Sequence, residues 1–306
     1  MSTDPFPALL NPDFAKAEIR DILVIVDPLL NEFINYGTWL LRRCYDEAVR
    51  RNQIYFPVLS LYHHILESVD GVRILVGQAA LSASIPLMRS TFEASVAIEY
   101  LLEDEKSYTE RSVAWMTEYY REKMRIIERL NPSTPKGTAY NQAKQRDLWI
   151  NDVEMPDQSI VQGNLDYFQK KISESPYKEM NDLFESAKTK KGYPRWYELL
   201  GGGQNFRSLM ERVGRDGQYD PFYGLWSGKI HASDVSMFSF SMTDEENLRP
   251  LRGGNSIIIA MHVVSMISWS TTLILRHFRK GEREVFGEWY IKNIHPLTVQ
   301  LRNITE

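Results

Sequence analysis

The segment 256–275, SIIIAMHVVSMISWSTTLIL, is apolar over twenty residues and decides how the rest of the chain is expected to fold. A predominantly apolar stretch of about twenty residues is long enough for one helix to cross a bilayer. Seven of these twenty, however, are Ser, Thr or His, and arginines flank both ends (Arg249, Arg252, Arg276 and Arg279). Hydroxyls and an imidazole suit a buried helix with polar partners, and the flanking charges lack the asymmetry typical of a membrane span. We therefore expect the central helix of a bundle. A membrane-associated protein that uses this helix is the weaker alternative.

Helical periodicity fills most of the remaining sequence. Apolar residues recur at three- and four-residue steps, as they do on the buried face of an amphipathic helix. The predicted helices cover residues 14–52, with a kink or break at Pro28, then 57–76, 82–103, 107–130, 138–150, 164–189, 195–200, 205–213, 218–232, 255–280 and 282–293. Only residues 236–242 alternate as a strand would. The predicted fold class is all-α, a multi-helix antiparallel bundle.

The chain is expected to form one domain that carries an insertion. Residues 1–13 contain three prolines and no periodicity, so they are predicted to be a flexible arm. Residues 14–306 are predicted to be a single helical domain. Within that domain, the run NPSTPKG at 131–137 breaks the helical pattern. The polar segment 131–193 is therefore predicted to be a loosely packed helical insertion beside the bundle.

Composition places the chain among globular proteins. Of its 306 residues, 43% are hydrophobic, which is enough for a large core. The net charge of -4 argues against wrapping of long nucleic acid by charge alone. The single cysteine, Cys44, excludes an intrachain disulfide and fits a reducing compartment. Because the N-terminal residues also lack the pattern of a secretory signal, a cytoplasmic location is predicted.

One arginine and one glutamate share a face of an otherwise apolar helix, in the stretch LMRSTFEASVAIEYLL. Arg89 and Glu93 are four residues apart, so their side chains meet on successive turns. A charged pair on such a helix is costly to bury unless its hydrogen bonds are satisfied. Two interpretations stay open: a structural ion pair that fixes the helix register, and a polar site inside the bundle.

A histidine further along the chain has the chemistry of a general acid or base. His231 lies in FYGLWSGKIHASD, and Ser227 precedes it by four residues on the same expected helix face. An imidazole titrates near neutral pH, which suits proton transfer. The alternative is a histidine that only makes hydrogen bonds within the core. A serine hydrolase is excluded because the strained GxSxG turn of the nucleophile is absent.

The other histidines match no known metal or nuclease motif. His63, His64 and Glu67 lie within about one helical turn, but a di-iron bundle needs Glu-x-x-His from two helices, and the order here is reversed. HExxH and cysteine clusters are absent as well. We expect neither a metal nor another cofactor. Helical ribonucleases of the HEPN type carry an Arg followed by a His after four to six residues, and that linear spacing is also missing.

Two segments together resemble a known bacterial family. The segments PLMRSTFEASVAIEYLLED and WYELLGGGQNFRSLMERVG, the latter followed by YDPFYGLWSGKIHASD, resemble the proteins grouped as DUF5677 over roughly residues 55–270. The matching polar residues are Arg89, Ser90 and Glu93 in the first half and Tyr223, Ser227, His231 and Ser233 in the second. The family has no assigned function. The resemblance therefore implies a helical fold and a residue set, but no reaction.

The resemblance suggests that the two halves contribute to one site. If Arg89, Glu93 and His231 met in one pocket, the arginine would hold a phosphate and the glutamate would orient the imidazole as a base. Tyr223, Ser227 and Ser233 would then contact the substrate. This hypothesis predicts a metal-independent, HEPN-like ribonuclease that acts on RNA or a phosphorylated ligand, as a defence or stress effector.

A second hypothesis comes from another class of function. The same polar residues would form a structural network, and the protein would be a non-catalytic, homo-oligomeric interaction or scaffold protein. The sequence leaves both hypotheses open, because it does not show whether distant helices meet.

Overall fold

The computed structural model describes residues 6–7, 9–190, 192–231, 248–253 and 256–304. It is all-helical, with no strand among these residues, so the predicted all-α class is confirmed. The strand predicted at 236–242 and the candidate residue Ser233 lie outside the described residues. In chain order the helices are α1 (Pro12–Glu18), α2 (Arg20–Arg50), α3 (Phe56–Gly77), α4 (Leu81–Leu102), α5 (Tyr108–Leu130), α6 (Pro135–Gln145), α7 (Gln158–Ser173), α8 (Tyr177–Ser186), α9 (Trp196–Leu199), α10 (Phe206–Arg212), α11 (Leu225–Ile230), α12 (Ser256–Phe278), α13 (Arg283–Trp289) and α14 (His295–Asn303).

The chain separates into two compact units. The first unit combines Met1–Glu103 with Met210–Glu306, and the second unit is Asp104–Leu209. The insertion predicted at 131–193 lies inside the second unit, which also includes α5 and the segment 194–209. This division differs from the predicted one because the long helix α5 is the element against which the segments of the second unit pack.

In the second unit, α5 contacts α6, α7, α8 and α9. An aromatic cluster joins α5, α7 and α8: the centre of the Tyr120 ring lies 6.0 Å from that of Phe168 and 5.2 Å from that of Tyr177. A charged residue of α5 also has partners within the second unit. Arg121 donates to Glu185 at 2.9 Å and to Asn181, and its guanidinium lies 4.0 Å from the centre of the Tyr193 ring.

The apolar segment 256–275 lies within α12, at the centre of the first unit. Its side chains pack against α2, α3 and α4, and Val263, Ile267 and Ile274 are fully buried. By length and composition alone, this is the one helix in the described part of the chain that would be able to span a membrane. Half of its most apolar window is buried by the protein itself.

Three hydroxyls of α12 have polar partners, whereas those of Ser256 and Ser270 are buried without a hydrogen bond to the described part of the chain. The Thr271 hydroxyl is 2.8 Å from the hydroxyl of Tyr62 on α3, and both residues are fully buried. Ser268 and Thr272 donate to backbone carbonyls one turn earlier, at 2.6 and 2.9 Å. These contacts remove the cost of placing polar groups in the core.

Helix α2 is divided from α1 at Ile19 and runs unbroken through Pro28. A kink or a division of the helix was predicted at Pro28, and the division lies nine residues earlier, at Ile19. A proline inside a helix costs one hydrogen bond, but tertiary packing can offset that loss. Here Leu29, Leu30 and Phe33, immediately after the proline, are completely or almost completely buried.

Helices α2 and α3 approach each other closely at a glycine. A Cβ added to Gly37 would lie 2.3 Å from Leu66 Cδ2 and 3.1 Å from the Tyr62 hydroxyl. A side chain at this crossing would force the Leu66 side chain to move.

Two other predicted helix boundaries need correction, and both lie beside a proline. The helix predicted at 164–189 is two helices, α7 and α8, separated at Ser175–Pro176. Proline disfavours helical geometry in the residue before it, which ends α7. Helix α14 was missed because the pattern weakens after residue 293. Pro296 occupies its first turn, where a missing N–H costs little.

Candidate functional site

The guanidinium of Arg89, on α4, is the centre of a polar cluster. Its Nε donates to Glu93 Oε1 at 2.9 Å, within the same helix. Its Nη1 donates to Ser227 Oγ at 3.1 Å and lies 3.4 Å from His231 Nε2. Its Nη2 donates to the Tyr223 hydroxyl at 2.6 Å. We call the residues Arg89, Glu93, Tyr223, Ser227 and His231 the Arg89 cluster.

Three members of the cluster come from one helical segment with a spacing of four residues. Tyr223 lies in a π-helical turn, Tyr219–Gly224, which continues directly into α11. Ser227 is in α11, and His231 caps its end with its backbone N–H bonded to the Ser227 carbonyl at 3.0 Å. Residues four apart project from one helix face. The segment therefore presents phenol, hydroxyl and imidazole in a row toward Arg89.

The Tyr223 side chain contacts Arg89 in two ways. Besides the hydrogen bond, its ring lies below the guanidinium, with 4.3 Å between Arg89 Cζ and the ring centre. Burial raises the pKa of Tyr223, and the nearby Glu93 carboxylate, which accepts a hydrogen bond from the phenol, raises it further. Arg89 opposes this change. The phenol is consequently protonated at neutral pH and can act as a donor.

Arg89 is held firmly but is not sealed from solvent. Its side chain is 12% exposed, and that of Glu93 is 42% exposed. A guanidinium has five N–H donors, and the four contacts above engage most of them. Because a guanidinium can only donate, His231 Nε2 is the acceptor in its contact. The contact therefore directs the Nε2 lone pair toward Arg89 Nη1.

The sequence hypothesis and the geometry agree on which described residues meet, but differ on the role of Glu93. The hypothesis had Glu93 orienting the imidazole. In the structure Glu93 contacts Arg89 and Tyr223, and it is Arg89 that contacts His231. The physical reason is the i, i+4 spacing, which places the carboxylate against the guanidinium of its own helix. Ser233 lies outside the described residues.

A second histidine approaches α4 one residue after Arg89. His64 Nε2, on α3, lies 2.6 Å from Ser90 Oγ. Its neighbour His63 pairs with Glu67 through Nδ1 at 3.3 Å. His63 and Glu67 thus contact each other, whereas His64 contacts a serine of α4. Among the residues that the structure describes, no group of three or more His, Cys, Asp or Glu side chains is arranged to hold a metal.

A lysine that the sequence did not single out attaches α11 to the start of α4. Lys229 Nζ donates to the Ser82 carbonyl at 2.5 Å and contacts its hydroxyl. Burial lowers the pKa of Lys229. Its position between Ser227 and His231 was the one sequence feature that pointed to Lys229. The contact itself could not be predicted from spacing, because Ser82 is 147 residues away in the sequence. Lys229 therefore positions the segment that carries three cluster residues.

The comparison with known proteins identifies one family. A family model described as "Family of unknown function (DUF5677)" matches residues 55–248, which include all five members of the Arg89 cluster. Neither the curated proteins nor the solved structures contain a match to this chain. The family match supplies no reaction, so the chemistry must be argued from the cluster itself.

Proposed function

This chain belongs to DUF5677, a family of unknown function, and we propose that it is a metal-independent ribonuclease whose active site is the Arg89 cluster. The observation that carries the proposal is the set of contacts at one guanidinium nitrogen. Arg89 Nη1 lies within 3.4 Å of both a hydroxyl, Ser227, and an imidazole nitrogen, His231. A cation, a hydroxyl and a titratable base within one hydrogen-bonding shell are the groups that phosphodiester cleavage requires.

The proposed reaction needs no metal and no external co-reactant. The ribose 2′-oxygen forms a bond to the adjacent phosphorus, and the bond from phosphorus to the 5′-oxygen breaks. His231 accepts the proton of the 2′-hydroxyl, and the departing 5′-oxygen takes a proton from solvent. The products are a 2′,3′-cyclic phosphate and a 5′-hydroxyl. Arg89 stabilises the negative charge that builds up on the phosphate oxygens.

Substrate binding would release the base. In the structure the lone pair of His231 Nε2 accepts from Arg89 Nη1. A phosphate is a stronger acceptor for a guanidinium than a neutral imidazole or a hydroxyl. A bound phosphate would therefore replace Ser227 and His231 on Nη1. The imidazole lone pair would then be free to accept the 2′-hydroxyl proton.

Glu93 and Tyr223 would act as positioning residues in this reaction. They hold Nε and Nη2 of Arg89, which leaves Nη1 as the nitrogen that exchanges partners. The HEPN-like relationship is part of the proposal: HEPN-type enzymes supply Arg and His from one helix, whereas here they come from α4 and the end of α11. A role as a defence or stress effector follows only by analogy with such enzymes.

The second candidate function is the non-catalytic, homo-oligomeric scaffold. The observation that favours it is that Arg89 already has protein partners for most of its donors. A guanidinium with this many partners is also typical of a structural network. The two functions differ in what His231→Ala changes. In a ribonuclease this variant loses activity and keeps its stability, whereas in a structural network it loses stability and there is no activity to lose.

The test is cleavage of a single-stranded RNA by the purified protein in the presence of a metal chelator. We expect fragments that end in a 2′,3′-cyclic phosphate, and we expect a deoxyribose substrate of the same sequence to remain intact. Cleavage of both substrates, or cleavage only after a divalent metal is added, would contradict the proposed reaction. An absence of cleavage in both conditions would support the scaffold.

A further inference from the structure

The first unit contains a cavity of about 780 Å³ that the proposed ribonuclease reaction does not use. Its volume is within the range of small-molecule sites in proteins. Its walls come from α4, α12, the π-helical turn and the segment that follows α10. The lining includes Phe92, Glu99, Arg215, Trp226, His262 and Trp269.

One wall of the cavity is a cluster of aromatic rings. The Phe222 ring lies 4.2 Å from His262 and 5.8 Å from Trp226. Phe92, on α4, meets Trp226 edge-on at 6.0 Å. His262 and Trp269 are seven residues apart on α12, so they share one face of that helix. Such a wall can stack on a flat ring.

Beside the rings, the cavity contains one ion pair that supplies both donors and acceptors. Arg215 Nε lies 2.7 Å from Glu99 Oε2, and both side chains are largely buried. Arg215 Nη1 also donates to Ser95 Oγ at 3.2 Å. Burial raises the pKa of Glu99, whereas Arg215 and the Trp269 indole lower it. A carboxylate has about four lone-pair sites and a guanidinium has five donors, so both retain capacity for a ligand.

The charges of the cavity favour an uncharged ligand. Burial lowers the pKa of His262, so its imidazole is neutral at neutral pH. The charges of Glu99 and Arg215 offset each other at 2.7 Å. A free phosphate or carboxylate would meet the Glu99 carboxylate, and the second cation of the lining, Arg302, already engages another group of the protein. A neutral ring with polar edges would satisfy both members of the pair.

We propose that this cavity is a binding site for a nucleobase or nucleoside, stacked on the aromatic wall with its polar edge on the Glu99–Arg215 pair. Aromatic stacking accepts any base, and the ion pair selects for a ring with hydrogen-bonding groups on its edge. The proposal does not rest on RNA cleavage, because the two sites use different side chains. Phe222 and Trp226 line the cavity, whereas their neighbours Tyr223 and Ser227 contact Arg89.

The test is isothermal titration calorimetry of the full chain with adenosine, guanosine, cytidine and uridine, and with ribose 5-phosphate as the ligand without a base. We expect at least one nucleoside to bind and ribose 5-phosphate not to bind. Binding by ribose 5-phosphate with equal affinity, or no binding by any nucleoside at millimolar concentration, would overturn the proposal.

Matched tryptophan variants test whether the binding occurs in this cavity. Trp269 is 43% exposed at the cavity, and Trp39, on α2, is 45% exposed and does not line it. Trp269→Ala is expected to weaken binding about 5- to 150-fold, because a stacked base contributes about 1–3 kcal/mol. Trp39→Ala should leave the affinity unchanged, and Trp269→Phe should restore part of it. Equal affinities for all three variants would contradict the assignment.

Discussion

Arg89 Nη1 donates to Ser227 Oγ at 3.1 Å across 138 residues of sequence. This hydrogen bond connects α4 with α11, and it belongs to a set of contacts in which one guanidinium engages side chains of four types. The planar fork of arginine permits these simultaneous contacts, which a lysine ammonium cannot reproduce. The cluster therefore depends on the shape of this cation as well as on its charge.

Arg89→Lys should destabilise the protein and abolish cleavage. The substitution keeps the positive charge but leaves at least one of the four partners of Arg89 without a donor, because an ammonium has three N–H groups. We expect a loss of about 1–3 kcal/mol in the free energy of unfolding, measured by urea denaturation. The matched control is Arg42→Lys, at an arginine that pairs with Asp46 four residues later but is 75% exposed. A change of less than about 0.5 kcal/mol is expected there. Equal effects of the two variants would contradict the role of the fork.

Gly37→Ala should destabilise the first unit, because its Cβ would overlap Leu66 at the crossing of α2 and α3. Leu66 is buried and has little room to move. We expect a cost of about 1–3 kcal/mol in thermal or urea unfolding. Gly77→Ala, at the end of α3, is the control, because an added Cβ meets nothing within 4 Å there. That variant should be neutral or more stable by up to about 1 kcal/mol. Two variants of equal stability would show that the crossing is looser than described.

The hydrogen bond between Tyr62 and Thr271 should be energetically coupled. Tyr62→Phe and Thr271→Val each leave one buried hydroxyl without its partner, at a cost of about 1–3 kcal/mol. The double variant removes both hydroxyls, so it should cost less than the sum of the single variants. Urea denaturation of the four proteins measures this difference. Strictly additive losses would indicate that the two hydroxyls do not interact.

Acid should remove part of the stability through Glu282. The hydrogen bond from Arg279 lowers the pKa of Glu282, against burial, which raises it, and Arg43 lowers it further. A carboxyl group with a pKa below its unfolded value of about 4.3 stabilises the native state above that pH. This stabilisation is lost as the pH falls from that value through the folded pKa. Melting temperatures between pH 7 and pH 3 should therefore fall more steeply for the wild type than for Glu282→Gln.

Glu284→Gln is the control for this titration, because Glu284 is exposed two residues away. Its melting temperatures should parallel those of the wild type across the same pH range. Parallel curves for Glu282→Gln and the wild type would contradict a role of Glu282 in acid unfolding.

The local parts of the site follow from spacing in the sequence. The interval of four between Arg89 and Glu93 predicts their contact on one helix, and the same interval relates Ser227 to His231. Periodicity likewise predicts α12 as a buried helix, because its apolar residues and hydroxyls both need partners inside the protein. These features depend only on helix geometry and on the cost of burying polar groups.

The non-local parts do not follow from spacing. Whether α4 meets α11 depends on the packing of the whole first unit, and only the family resemblance suggested that the two halves belong together. The Glu99–Arg215 pair was missed for the same reason, since Glu99 lies on α4 and Arg215 lies in the segment that follows α10. The division between α1 and α2 lies at Ile19 and not at Pro28, because burial of Leu29 and Leu30 outweighs the helix-breaking tendency of Pro28.

The most direct measurement of the central claim is RNA cleavage, with a metal chelator present, by the wild type, His231→Ala and His295→Ala. His295 is an exposed histidine at the start of α14 and serves as the matched control. We expect His231→Ala to cleave about 100- to 10,000-fold more slowly, with an unchanged melting temperature, because it lacks the general base. His295→Ala should cleave at the wild-type rate. Equal cleavage by His231→Ala and the wild type, or a large fall in its melting temperature without any wild-type cleavage, would contradict the assignment of the Arg89 cluster as an active site.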